Sequence, residues 1–239
     1  MSDFAHKTKT VRRLVLQFGY EMSRLMALVA AGVLLTGCAS VLRPVKVAGS
    51  DFQPDNVYIA STTLPQNLKR VAVLPLMTDE RSSALVDGRE ALDPILTSEL
   101  LKTRKFELLR ITPERSRTCT GRVGWTGEEL LPENFFSSLQ EASGCDAVLF
   151  CQLTAFRAYA PLAIGWRMKL VDARSGQILW AGDEMFDAGQ SSVQNSARRY
   201  QLSQIRSSGS DASEWVMGNS PRTFGQYTVA SLLRTLPAR

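Results

Sequence analysis

Hydrophobic and polar positions change period several times along the chain, and each change predicts an element. Leu25–Leu35, LMALVAAGVLL, is an uncharged run set behind Arg24. Residues 39–68 carry Pro44, Pro54 and Pro65 without a sustained period, which predicts a tether with a short strand at Val57–Ser61. Arg70–Leu76, RVAVLPL, is a short apolar run closed by proline and predicts a buried strand. Leu92, Ile95, Leu96 and Leu100 then recur at helical spacing. Asp93–Pro94 either opens that helix as N-cap and first residue, or Pro94 sits inside a longer helix starting near Ser83. Phe106–Ile111 predicts a second strand, and the polar, glycine-containing stretch 112–127 a loop. EELLPENFFSSLQEASG predicts a second helix with Phe135, Leu139 and Ala142 on one face and Gly144 just past its end.

Asp146–Tyr159 begins apolar on both faces, as a central strand does, and alternates later. A hairpin follows: Trp166, Met168 and Leu170 share one face, Ile178 and Trp180 repeat the pattern, and Asp172–Gly176 supply turn chemistry. Residues 187–219 are rich in Ser, Gln and Gly, with a candidate helix at SVQNSARRYQLSQIR. Ser220–Pro221 caps a last helix with a Val229, Leu232, Leu233, Leu236 stripe. The order predicts one α/β domain, a mixed β-sheet flanked by helices.

The apolar run at 25–35 is too short to span a bilayer, which takes about 20 residues. A basic start, an apolar core and small residues at its end describe a secretory signal, and Met22 opens a compact version of it, so translation is expected to start there. The run ends in Leu35-Thr36-Gly37-Cys38, which resembles the lipobox of bacterial lipoproteins. That resemblance implies cleavage between Gly37 and Cys38, a diacylglyceryl group on the Cys38 sulfur and an acyl group on its new amine. Several acyl chains hold a protein at a membrane far better than one. By the same resemblance, Ala39 in place of an aspartate favours the outer membrane, periplasm-facing.

Charge and chemistry narrow the reading further. The net charge is +5, but residues 1–37 hold five of the basic and two of the acidic residues, leaving 23 against 21. A nucleic-acid partner is therefore not expected. The one histidine, His6, lies in the signal, so the rest of the chain has no histidine base or ligand. GRVGWTG at 121–127 lacks the lysine of a phosphate loop, the neighbouring carboxylates Glu128/Glu129 and Asp183/Glu184 face apart, and no SxxK occurs. No cofactor, metal site or enzyme activity is expected. Cys119, Cys145 and Cys151 are either buried thiols or hold one disulfide with one cysteine left over. Trp125, in a polar loop, is either tucked in against the domain, the commoner case, or exposed, and if exposed it is the candidate partner contact.

RVAVLPL, ILTSELLKTRKFELL, SGCDAVLFCQLT and MKLVDARSGQILW, in that order over residues 69–185, resemble the CsgG-like domain of curli-export lipoproteins. In outline this domain also resembles the lipoprotein activators of peptidoglycan synthases and the N-terminal domain of the Tol β-propeller protein. The curli channel inserts long hairpins whose spanning strands need about 9–11 residues. Here APLAIG at 160–165 is too short for that and 187–219 too polar, so a pore is not expected. The resemblance implies a signal at 1–37, a lipidated tether at 38–68 and a periplasmic α/β domain at 69–239. It implies a binding or scaffold component of envelope assembly, with an envelope protein as partner at the sheet edge or the 112–127 stretch, and self-association left open. The alternative is a subunit of an outer-membrane export complex.

Overall fold

Val71, Ala72 and Val73 are buried between a strand on either side and helices above and below. The computed structural model describes residues 49–208 and 220–239. Met22, Gly37 and Cys38 lie outside the described residues. The strands are β1 (Val57–Ile59), β2 (Arg70–Val73), β3 (Glu107–Arg110), β4 (Ala147–Arg157), β5 (Ala163–Asp172) and β6 (Ile178–Asp187). The helices are α1 (Ser83–Thr103), α2 (Pro113–Thr120), α3 (Phe135–Ser143), α4 (Ser191–Ser208) and α5 (Pro221–Leu233). The sheet runs β1-β6-β5-β4-β2-β3, with β3, β2 and β4 parallel and β4, β5, β6 and β1 antiparallel. This is the mixed α/β sheet that the pattern predicts.

Strand alternation sorts the core into two layers. Val71, Val73, Leu149, Cys151, Trp166, Met168 and Leu170 face α1, α4 and α5. Ala72, Leu74, Val148, Phe150 and Val171 face α2, α3 and the segment carrying Trp125. The second layer covers mainly the parallel half. Arg167 and Asp183 lie on the same face farther along, with Met185 48% and Tyr58 56% exposed near the β1 edge.

Several boundaries differ from expectation. Ser82 caps α1, its Oγ accepting from the Leu85 N–H, and Pro94 lies inside the helix, where it cannot donate to the Glu90 carbonyl. The longer helix is therefore the correct alternative. Residues 113–120, expected as loop, form α2: Thr112 Oγ1 accepts from the Arg115 N–H at 3.2 Å, Pro113 fills the first turn, and Gly121 ends it at φ 81°. Capping chemistry builds this helix, not an apolar stripe, since Ser116 is its one buried residue. Helix α3 starts only at Phe135; Leu130 is 96% exposed ahead of it and Ala142 points to solvent. A bulge between Leu170 and Val171 pairs Val171 with Ile178 and leaves Ile178 38% exposed, outside the core face it was expected to share.

The tether expected at 38–68 is corrected from residue 49 onward. Phe52 meets Phe186 edge-on at 5.2 Å, β1 pairs with β6, and Leu64 and Leu68 are buried. Leu64 N–H donates to the Ala238 carbonyl at 2.8 Å, joining this segment to the chain's last residues. The candidate helix in 187–219 is present as α4, held by Val193 and Ala197; residues 209–219 lie outside the described residues. Among the described residues no helix is long and apolar enough to cross a membrane.

Candidate binding crevice

Parallel strands that send their following helices to opposite faces open a gap at their carboxyl ends. Strand β2 leads to α1 on one face and β3 to α2 on the other. The gap between them is a crevice of ≈ 540 Å³, within the range of ligand-binding clefts. Its floor is apolar, from Leu76, Ile111 and Pro113, and Val123 stands at its edge 39% exposed.

The β2 side of the crevice is unusual in its backbone. Past β2 the chain keeps following β4: Leu74 N–H donates to the Leu149 carbonyl and Met77 N–H to the Cys151 carbonyl, both at 3.0 Å, while Leu153 N–H returns to the Met77 carbonyl at 2.9 Å. Its other neighbour stops short. The last bond from that side is Ile111 N–H to the Val73 carbonyl at 3.0 Å, after which the chain turns into α2. Among the described residues, no hydrogen bond reaches the Leu76 N–H or the Pro75 and Leu76 carbonyls.

Charge rings the opening. Arg89 meets Glu80 at 3.2 Å. Arg110 meets Asp93 and donates to Thr97 Oγ1 at 3.1 Å. Glu90 is exposed on the same wall, and among the described residues no ion pair reaches it. The groups present suit binding: two arginines each satisfied by a carboxylate, one carboxylate left over, and an apolar floor. Sequence reasoning missed Glu80, Arg89, Glu90, Asp93 and Arg110. The available signal was the strand–helix–strand order itself, which places residues after β2 and β3 side by side. The 112–127 stretch does reach the site, through Pro113 and Val123.

Trp125 is not exposed. Its ring is 5% accessible and meets Phe135 edge-on at 5.5 Å. Its Nε1–H donates to Thr120 Oγ1 at 2.7 Å, and the Arg122 guanidinium lies 4.4 Å from the ring centroid. A large ring with one polar atom fits a buried position once that atom has a partner, so Trp125 anchors its loop to the second layer. Arg167 fastens the same loop from the sheet, bonding Asp183 at 2.7 Å and Glu128 on its other side; the Asp183 hydrogen bond, then the two carboxylate charges, raise its pKa against the effect of burial.

Cys119, Cys145 and Cys151 are free thiols, so the disulfide weighed for them is not formed. The sheet separates Cys151, in the first layer, from Cys119 and Cys145 in the second. Burial pushes the Cys145 and Cys151 thiols above the ordinary range. Among the described residues no cluster of His, Cys, Asp and Glu has the makings of a metal site.

No protein-family model matches the chain, and no curated protein matches it. Distant likenesses to solved structures are found. PelC from Paraburkholderia phytofirmans, solved as a dodecamer, is 15% identical with a TM-score of 0.40, over 77% of this chain and 98% of that one. Lipoprotein GNA1162 from Neisseria meningitidis is 17% identical with a TM-score of 0.40, over 58% and 99%. The LpoB C-terminal domain from Escherichia coli is 17% identical with a TM-score of 0.32, over 49% and 82%.

Proposed function

We propose that this chain is a lipid-anchored envelope protein, not an enzyme, that binds and positions a protein partner. Residues 1–37 serve as a signal cut before Cys38, the acylated Cys38 holds the outer membrane from the periplasmic side, and a short link leads to a domain that starts by residue 49. The observation that carries this reading is the Leu35-Thr36-Gly37-Cys38 box directly behind an eleven-residue apolar run. The crevice between β2 and β3 supports the binding role, since two ion pairs and one further carboxylate, Glu90, stand around an apolar floor.

The test is expression of the full chain in a bacterial host with an outer membrane, fed a labelled fatty acid. Label and outer-membrane fractionation are expected, and Cys38→Ala is expected to lose both. Unlabelled, freely soluble wild-type protein would overturn the reading. Membrane ring assemblies that conduct ions would instead support the rival role as an export-complex subunit.

A further inference from the structure

We infer that the side of the domain carrying α4 and α5 rests on an anionic phospholipid surface, with its arginines against the headgroup phosphates. This rests on the reading of Cys38 as the lipid anchor and adds which way the domain faces. Three observations lead to it.

The first is where the link arrives. Residues 38–48 number eleven, so Gly49 lies at most about 40 Å from the anchored sulfur. Gly49 is fixed to α4: the Arg199 guanidinium donates to the Gly49 and Ser50 carbonyls, at 3.1 and 3.2 Å. The same guanidinium meets Asp51 at 2.7 Å, so the carboxylate beside the link is matched. Of the domain's helices, α4 is the one that the link brings to the lipid.

The second is how charge divides along the chain. Residues 49–187 hold 15 basic and 19 acidic residues, residues 188–239 six and two, and the link two and none. Helices α4 and α5 hold four arginines between them and no aspartate or glutamate. Arg234 follows α5 directly, while Asp211 and Glu214 lie outside the described residues. On this face of the sheet the helical carboxylates Asp87, Glu90, Asp93 and Glu99 are all on α1, and α5 stands between α1 and α4. The third is exposure. Arg198, Arg222 and Arg234 are exposed, and among the described residues no ion pair reaches Arg222 or Arg234. Arg234 lines one crevice with Asp51, Ser196, Arg199 and Tyr200, which puts it beside the entering link. Each cation close to an anionic membrane strengthens attachment roughly fivefold, and here the anchor already holds the cations there.

The full chain is expressed in a host that acylates lipoproteins, and the acylated product is placed in vesicles of phosphatidylcholine alone or with about one-third phosphatidylglycerol. The photocrosslinker p-benzoylphenylalanine is introduced at Gln194, one turn from Arg198, or at Glu141 on α3, across the sheet; both positions are exposed. In the anionic vesicles, Gln194 is expected to capture roughly fivefold more lipid than Glu141. That preference is expected to shrink in the neutral vesicles and in about 1 M salt, where screening leaves only contact-range attraction. Replacing Arg198, Arg222 and Arg234 together by glutamine is expected to remove it, and replacing them by lysine to keep it, since a diffuse attraction asks only for charge. The vesicle and salt comparisons use the wild-type side chains, so they hold whether or not the glutamine variant folds. Equal capture from both positions, an equal preference in both vesicles, a preference that survives the glutamines or is lost with the lysines, or capture of a second copy of the chain in place of lipid each overturns the proposal. A chain without acyl label overturns the anchor reading and the proposal with it, whereas those outcomes in labelled protein overturn the proposal alone.

Discussion

Trp166 Nε1–H donates to Thr228 Oγ1 at 2.9 Å, and both residues are fully buried. The bond ties the middle of β5 to the middle of α5. Thr228 in turn donates to the Gly225 carbonyl at 2.9 Å, so its hydroxyl is used in both directions. Thr228→Val keeps the shape but leaves an indole N–H in the core without an acceptor. The expected loss is about 1–3 kcal/mol of unfolding free energy, read as a lower urea midpoint with an unchanged slope. Thr228→Ser keeps the oxygen and is expected to lose less.

Gly88 marks where α1 crosses β4. A Cβ there would lie 2.5 Å from Phe156 Cγ and 2.9 Å from Leu153 Cδ2. Alanine is the better helix former by about 1 kcal/mol, but overpacking costs roughly 1–3 kcal/mol, and Phe156 meets the new methyl at its Cβ as well, 2.9 Å away, so the ring cannot simply rotate clear. Gly88→Ala is therefore expected to destabilise, with Tm lowered in thermal unfolding. A raised Tm would show that α1 moves off the sheet at little cost.

What was legible in the sequence follows from which forces act locally. The strand Asp146–Tyr159 and the hairpin announce themselves because both of their faces, or one whole face, are apolar, and burial alone then fixes them. Helix α2 does not, because Thr112, Pro113 and Gly121 specify it without any apolar period. Capping chemistry could have been read from Thr-Pro-Glu. Residues 49–68 were hidden for the opposite reason: Phe52, Leu64 and Leu68 look scattered in sequence, and only the distant Phe186 and Ala238 make them part of the core. Trp125 shows that a polar stretch does not imply exposure, since Thr120 and Arg122 beside it supply the acceptor and the covering cation. The crevice was the least legible feature. It depends on the divergence of two helices to opposite faces, a property of topology that no local window contains.

Asp146 joins the start of β2 to the start of β4. Its Oδ2 accepts the backbone N–H groups of Lys69 and Arg70, each at 2.9 Å. Burial pushes this carboxyl up, but the two N–H bonds, with Arg174 and Arg70 nearby, outweigh it and bring the pKa below the ordinary 3.8. A carboxyl whose folded pKa is depressed stabilises the fold above its unfolded pKa, and that contribution fades as pH falls through the folded value. The wild type is thus expected to lose stability as pH drops below about 4, and Asp146→Asn to lose less across that window while being less stable at pH 7. Urea titrations from pH 7 down to pH 2.5 check both, and parallel acid limbs would place the pH dependence elsewhere.

The three described cysteines differ in a way that labelling can read. Cys119 is half-buried on the last turn of α2, whereas Cys145 and Cys151 are buried. Thiolate is the reactive form, and burial holds the Cys145 and Cys151 thiols protonated. With Cys38 replaced by alanine to remove the lipid site, iodoacetamide at pH 8 is expected to alkylate Cys119 first, with Cys145 following slowly. Cys151 lies in the core layer among Leu149, Leu153 and Met168 and is expected to react only as the domain unfolds. Its labelling rate therefore reports global opening: it should rise with urea and be faster in Thr228→Val, which loses the Trp166 bond, than in the wild type. Tryptic digestion separates Cys119 from the other two, and fragment ions of the shared peptide 123–157 distinguish Cys145 from Cys151; rapid native-state alkylation of Cys151 would mean that β4 opens locally, contrary to its place at the centre of the sheet.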